Sequence, residues 1–128
     1  MKVLLDTHVL VWAATTPERL GDATGLIAGA DNRLLSAVSV WEVAIKQRLG
    51  KLSVGSDVRT WTRRVARELE LDHLPVTAGH AAAVEHLPDV HRDPFDRILV
   101  AQAVAEGALL LTADERLTGY GDVVRLVG

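Results

Sequence analysis

Residues 93–114 read DPFDRILVAQAVAEGALLLTAD, and this stretch decides the fold class. Asp93-Pro94 is a strong helix start, an acid able to cap free N–H groups followed by a proline at the first helical position, where no N–H is needed. The helix it opens runs to Glu106 and ends at Gly107. Ala108-Leu109-Leu110-Leu111-Thr112 follows at once and is the clearest strand in the chain.

The flanking sequence repeats the alternation. Val3-Leu4-Leu5 is a short buried strand ending at Asp6, and Thr7–Ala14 a short helix stopped before Pro17. Asp22–Ala30 suggests a second helix, weakened by Gly25 and Gly29. Arg33–Ser36 reads as a strand and Val38–Leu49 as a longer helix closed by Gly50 in the left-handed conformation. Ser56-Asp57 offers N-caps for a basic amphipathic helix to about Leu71. Leu74-Pro75-Val76 is a weak strand, and Thr77 caps a helix through Ala81, Val84 and Leu87. Pro88–Arg92 is a turn, a short helix starts at Asp114, and Val123–Val127 is a last strand. Strands alternating with helices at this spacing predict an α/β/α sandwich with a small, mainly parallel central sheet. With no repeats or linkers, the 128 residues are expected to form one domain.

Composition narrows the function classes. Aromatic residues make up only 4%, so the core is expected to be aliphatic, with Trp12, Trp41 and Trp61 as its few large pieces. No apolar run approaches the roughly 20 residues of a membrane span, and the N-terminus turns acidic too soon for a secretory signal; a cytoplasmic protein is expected. The chain has no cysteine, so any metal must sit on oxygen or imidazole. Net charge is −3, but it is unevenly spread. Lys46, Arg48, Lys51, Arg59, Arg63, Arg64 and Arg67 face Asp57 alone, a local excess of +6 that leaves −9 for the rest. That stretch is either a solvated helix face or a surface for a phosphate backbone.

In a parallel sheet, ligand sites form beyond the carboxyl ends of the strands. Asp6 and Asp114 fall there, although each could simply cap the helix that follows. Glu42 shares a helical stripe with Val38, Ile45 and Leu49 that should face the core, where a carboxylate needs a metal or a partner such as Arg97 or Arg116. Asp96 is in register with Leu99 and Ala103, which turns it toward the sheet; Asp93 is expected to be the cap. At about 4 Å and an effective dielectric near 20, each like-charged pair repels by roughly 4 kcal/mol. Asp6, Glu42, Asp96 and Asp114 converging from four segments therefore call for a cation, and an all-oxygen donor set suits Mg²⁺ or Mn²⁺. Divalent ions on shared carboxylates are the machinery of phosphodiester cleavage, and the Lys46–Arg67 stretch would hold the backbone.

Four segments carry a resemblance: Val3-Leu4-Leu5-Asp6-Thr7-His8, Ser36-Ala37-Val38-Ser39-Val40-Trp41-Glu42, Arg92-Asp93-Pro94-Phe95-Asp96-Arg97 and Leu110-Leu111-Thr112-Ala113-Asp114. In this order and separation the chain resembles a PIN-domain ribonuclease of the VapC toxin type, from the first residue to nearly the last. The resemblance implies a Mg²⁺- or Mn²⁺-dependent endoribonuclease, a homodimer, and inhibition by a small VapB-type antitoxin. It implies Asp6, Glu42, Asp96 and Asp114 as metal-binding acids, with Thr112 in support. His8 and His91 lie near the motifs without a metal role in the pattern, and are read as surface or hydrogen-bonding residues. Two alternatives remain, a phosphoacceptor signalling module and a catalytically inactive PIN domain that binds RNA or a partner. Against the first, no lysine follows Lys51.

Overall fold

Val3, Leu4 and Leu5 have no accessible surface, because the strand that carries them, β1 (Lys2–Leu5), is the middle one of five. The computed structural model describes every residue from Met1 to Gly128. β1 pairs with β2 (Asn32–Ser36) on one side and β4 (Ala108–Thr112) on the other. β3 (Asp72–Leu74) extends the sheet beyond β2, and β5 (Val124–Leu126) beyond β4. The order is β3-β2-β1-β4-β5 and every pair is parallel, as the alternation of strands and helices predicts.

Side chains alternate across each strand, so the sheet feeds two cores. Val3, Leu5, Leu35 and Leu111 face α1 (Thr7–Thr15) and α4 (Val58–Glu68), which supply Val9, Leu10, Trp61 and Val65. Leu4, Leu34 and Leu110 face α6 (Pro94–Glu106), which supplies Leu99, Val100 and Ala103. α3 (Ala37–Arg48) serves both, Val43 in the first core and Val38 in the second. The shorter α2 (Ala23–Gly29) adds Ala23 and Ile27 to the first core. α5 (Ala78–Ala83) packs on α6. Full burial of each such leucine contributes about 1.5–3 kcal/mol.

The connectivity places the crevice. From β1 the chain moves outward through β2 to β3, then returns to β4 on the other side of β1. The reversal lies between β1 and β4, where helices leaving in opposite directions open a cleft beyond the carboxyl ends. Asp6 follows β1 directly and Asp114 lies two residues beyond β4.

Several local expectations shift. β3 covers Asp72–Leu74, upstream of the expected Leu74–Val76, because Pro75 has no N–H to give a ladder. α4 ends at Glu68 short of Leu71; Glu70 takes a positive φ of 53° and the Leu71 N–H returns to the Ala66 carbonyl at 2.8 Å. Of the three tryptophans only Trp61 is a core residue, whereas Trp12 is half-buried and Trp41 is 60% exposed. The α3 stripe is also narrower than expected: Leu49 lies past the helix end and is exposed, and the buried positions are Val38, Ser39 and Val43.

Candidate active site

Asp6 is both a cap and a buried acid. Its Oδ1 accepts the His8 N–H at 2.8 Å, opening α1, while Oδ2 accepts a short hydrogen bond from the Thr112 hydroxyl. Burial pushes this carboxyl above its ordinary range, and the Thr112 and His8 hydrogen bonds oppose the rise. Thr112, fully buried at the end of β4, also accepts the Asp114 N–H at 3.1 Å. One hydroxyl thus couples Asp6 to the Asp114 turn. Asp114 caps the 3₁₀ segment Glu115–Tyr120 and is gripped by the Arg116 guanidinium, with Nη2 at 2.8 Å. That ion pair holds Asp114 below the usual carboxylate range.

Glu42 sits at the edge of the core with its side chain 14% exposed. Oε1 accepts the Thr7 hydroxyl at 2.7 Å, and Oε2 meets the Lys46 ammonium one turn on at 2.9 Å. The partner is therefore neither Arg97 nor Arg116. Arg97 is occupied by the carbonyls of Val84, Pro88 and His91 and by the Tyr120 hydroxyl, and Arg116 by Asp114.

Asp93 caps α6 as expected, accepting the Phe95 N–H at 2.8 Å and the Asp96 N–H at 3.4 Å. Asp96 in the first turn is pushed up to about 7, first by burial and then by the charges of Asp93, Asp6, Glu42 and Asp114. Five carboxylates thus share one electrostatic environment. Ligand atoms of His91, Asp93 and Asp96 lie within 4.8 Å of one another. His91, read from sequence as a surface or hydrogen-bonding residue, is instead half-buried, with Nε2 3.1 Å from Asp96 Oδ2 but off the line of a hydrogen bond. Hard oxygens, one imidazole nitrogen and no thiol fit a divalent cation of the Mg²⁺ or Mn²⁺ kind. The same fit follows from Asp96, whose charged form is disfavoured until positive charge arrives.

The basic residues separate into two groups. Lys46 and Lys51 line a cavity of about 480 Å³ together with Thr7 and His8. Arg63, Arg64 and Arg67 stand exposed on α4, Arg64 at 4.0 Å from Glu68, and do not line it. Arg48 is exposed at the end of α3.

Residues 3–122 match the PIN domain family. The chain belongs to the PIN-domain family. It is 32% identical to Ribonuclease VapC22 of Mycobacterium tuberculosis over 120 residues, 92% of this chain and 91% of that one. Among solved structures the PIN fold here is similar to VapBC2 from Rickettsia felis bound to a promoter DNA fragment, at TM-score 0.76 and 15% identity with both chains fully covered. It also resembles VapBC-1 from nontypeable Haemophilus influenzae, at TM-score 0.65 and 15% identity over 98% of each chain. In this PIN chain the sequence did not point to Thr7 as the residue orienting Glu42, nor to His91 beside Asp96. Position was their only signal, one residue after Asp6 and two before Asp93.

Proposed function

We propose that this chain is a Mg²⁺- or Mn²⁺-dependent endoribonuclease and the toxin of a toxin–antitoxin pair, with Asp6, Glu42, Asp96 and Asp114 as its metal-holding acids. The observation that carries the reading is Asp96, a half-buried acid at about 7 whose strongest charged neighbours are four other carboxylates. Its relationship to a ribonuclease at 32% identity supports the activity. A bound divalent ion would lower the pKa of the attacking water and neutralise charge on the phosphate.

The chain's own residues set the geometry. Thr112 ties Asp6 to the Asp114 backbone, Thr7 orients Glu42, and Asp93 fixes the turn that carries Asp96. His91 offers a nitrogen that Mn²⁺ accepts more readily than Mg²⁺. Lys46, Arg48, Lys51, Arg63, Arg64 and Arg67 hold the RNA backbone against the repulsion of the acids.

A VapB-type antitoxin as partner is supported by the VapBC assemblies of the similar folds. Homodimerisation is supported by Trp41, an exposed indole edge-on to Phe95 at 4.9 Å between centroids. No helix is long and apolar enough to cross a membrane, and RNA as substrate suits a cytoplasmic site of action. Family membership leaves the phosphoacceptor alternative without support. The test is a time course on structured RNA with Mn²⁺ or with EDTA, for the parent and Asp96→Asn. Cutting by the parent in Mn²⁺ alone is expected; equal cutting in EDTA, or no cutting in Mn²⁺, overturns the proposal.

A further inference from the structure

A groove runs along α1 beside Glu42. Its cavity of about 480 Å³ is lined by Thr7, Trp12, Arg19, Lys46, Lys51 and Leu52 among others, and by no acidic side chain. It borders the cluster at Glu42, since Thr7 and Lys46 are the two residues bound to that carboxylate. Its other lining cations, Lys51 and Arg19, are both exposed. The Arg19 guanidinium lies 5.0 Å from the centre of the half-buried Trp12 ring. In a chain of net charge −3, three cations and an indole are thus gathered in one channel, two of whose lining residues, Thr7 and Lys46, hold Glu42.

We propose that this groove seats a stretch of single-stranded RNA next to the bond being cut, with phosphates on Lys46 and Lys51 and a base extending the Trp12–Arg19 stack. The proposal rests on the nuclease reading and adds to it the path of the strand and the roles of Arg19 and Trp12. Cations alone would serve an acidic peptide equally well. The indole–guanidinium stack favours RNA, because every base offers a π-face and acidic side chains offer none. Single-strandedness follows from the same interaction, since a base reaches an aromatic face only when freed from its duplex. The continuity with Glu42 gives direction, placing the strand beside the cluster where a scissile phosphate must lie.

The experiment measures binding of the full chain to a labelled single-stranded oligoribonucleotide in EDTA, so that no cleavage competes, at several salt concentrations. Arg19→Ala/Lys51→Ala should weaken binding about tenfold and lower the slope of log affinity against log salt by about 0.7 for each phosphate no longer neutralised. Lys2→Ala/Arg125→Ala removes as much charge from positions outside the groove and should change neither. Trp12→Phe should keep most of the affinity but lose most of the oligonucleotide-induced quenching of indole emission, whereas Trp41→Phe should retain it. Melting curves establish that each variant is folded. Affinity and slope unchanged in Arg19→Ala/Lys51→Ala, or changed equally in both pairs, overturn the proposal. So does polyglutamate displacing the oligonucleotide as effectively as RNA of equal charge, which would assign the groove to an acidic peptide. Parental cleavage in Mn²⁺ separates the two levels: if the parent cuts and the groove variants bind normally, only the groove assignment falls. A parent that neither binds nor cuts overturns both.

Discussion

Asp96 and Asp114 carry the same group and titrate in opposite directions, because one lies half-buried among carboxylates and the other is clasped by Arg116. The raised group has a definite consequence. From its ordinary value of 3.8 up to about 7, Asp96 holds a proton in the folded metal-free protein that it has released in the unfolded chain. Stability must therefore fall as pH rises through that window, and Asp6 acts in the same sense. Asp114, being lowered, loses its stabilisation only under more acidic conditions, so it does not mask the effect. Melting temperature in EDTA should rise between pH 7.5 and pH 5.5, and Asp96→Asn should flatten that rise; a parent that melts lower at pH 5.5 would contradict the crowded cluster. Glu42 gives a second test. Lys46, its cationic partner, is 31% exposed and can turn to solvent when the pair is broken, so Glu42→Gln should change apo stability by less than about 1 kcal/mol. Stabilisation by Mn²⁺ should shrink as binding weakens, and cleavage should fall about 100-fold or more, the scale of losing charge stabilisation at a reacting centre. Large destabilisation in EDTA with cleavage intact would make Glu42 a structural residue.

At the scale of elements, α3 and α4 end alike with different residues at the decisive position. After α3, Gly50 takes φ 74° and the Lys51 N–H returns to the Lys46 carbonyl at 2.9 Å. After α4, Glu70 occupies the same left-handed position, at a steric cost that glycine avoids. This is why Gly50 announced its helix end in the sequence and Glu70 did not. Nothing lies within 4 Å of a Cβ placed on Gly50, so Gly50→Ala meets only backbone strain and should cost about 1 kcal/mol. Gly25, inside α2, also has open space but no positive φ. Gly25→Ala should stabilise by about 0.5–1 kcal/mol. Urea denaturation of the two variants should give midpoint shifts of opposite sign. Two destabilising shifts would mean that α2 resists a better helix former for reasons beyond propensity.

For the whole molecule, the parallel order with its reversal between β1 and β4 brings segments more than a hundred residues apart to one crevice, Asp6 and Thr112 being joined directly. The same topology leaves Trp41, next to Glu42, exposed on α3 and edge-on to Phe95, which precedes Asp96 and packs against the second core. A 60% exposed tryptophan is costly to leave in water, and in the proposed homodimer a second copy covers it. Sedimentation equilibrium should then give twice the 13.8 kDa chain mass, and Trp41→Glu should return it to one. A folded Trp41→Glu protein that remains dimeric would move the interface elsewhere.

The sequence by itself determined the elements with local signatures: the helix opened by Asp93-Pro94, the Gly50 and Gly107 stops, the buried β1 and β4, and hence the parallel α/β architecture. It also singled out Asp6, Glu42, Asp96 and Asp114, because a carboxylate at a strand end or on a core-facing stripe conflicts with burial unless something compensates it. Only the tertiary structure decided what lies opposite each of them. That Glu42 meets Lys46 and Thr7, that His91 stands against Asp96, that Trp12 rather than Trp41 is drawn toward the core, and that Lys46 and Lys51 share a groove with Arg19 while the α4 arginines do not are all matters of distance between segments. Periodicity fixes which face of its own helix a side chain takes; which other element packs on that face depends on how the two cores close, and no local pattern carries that information.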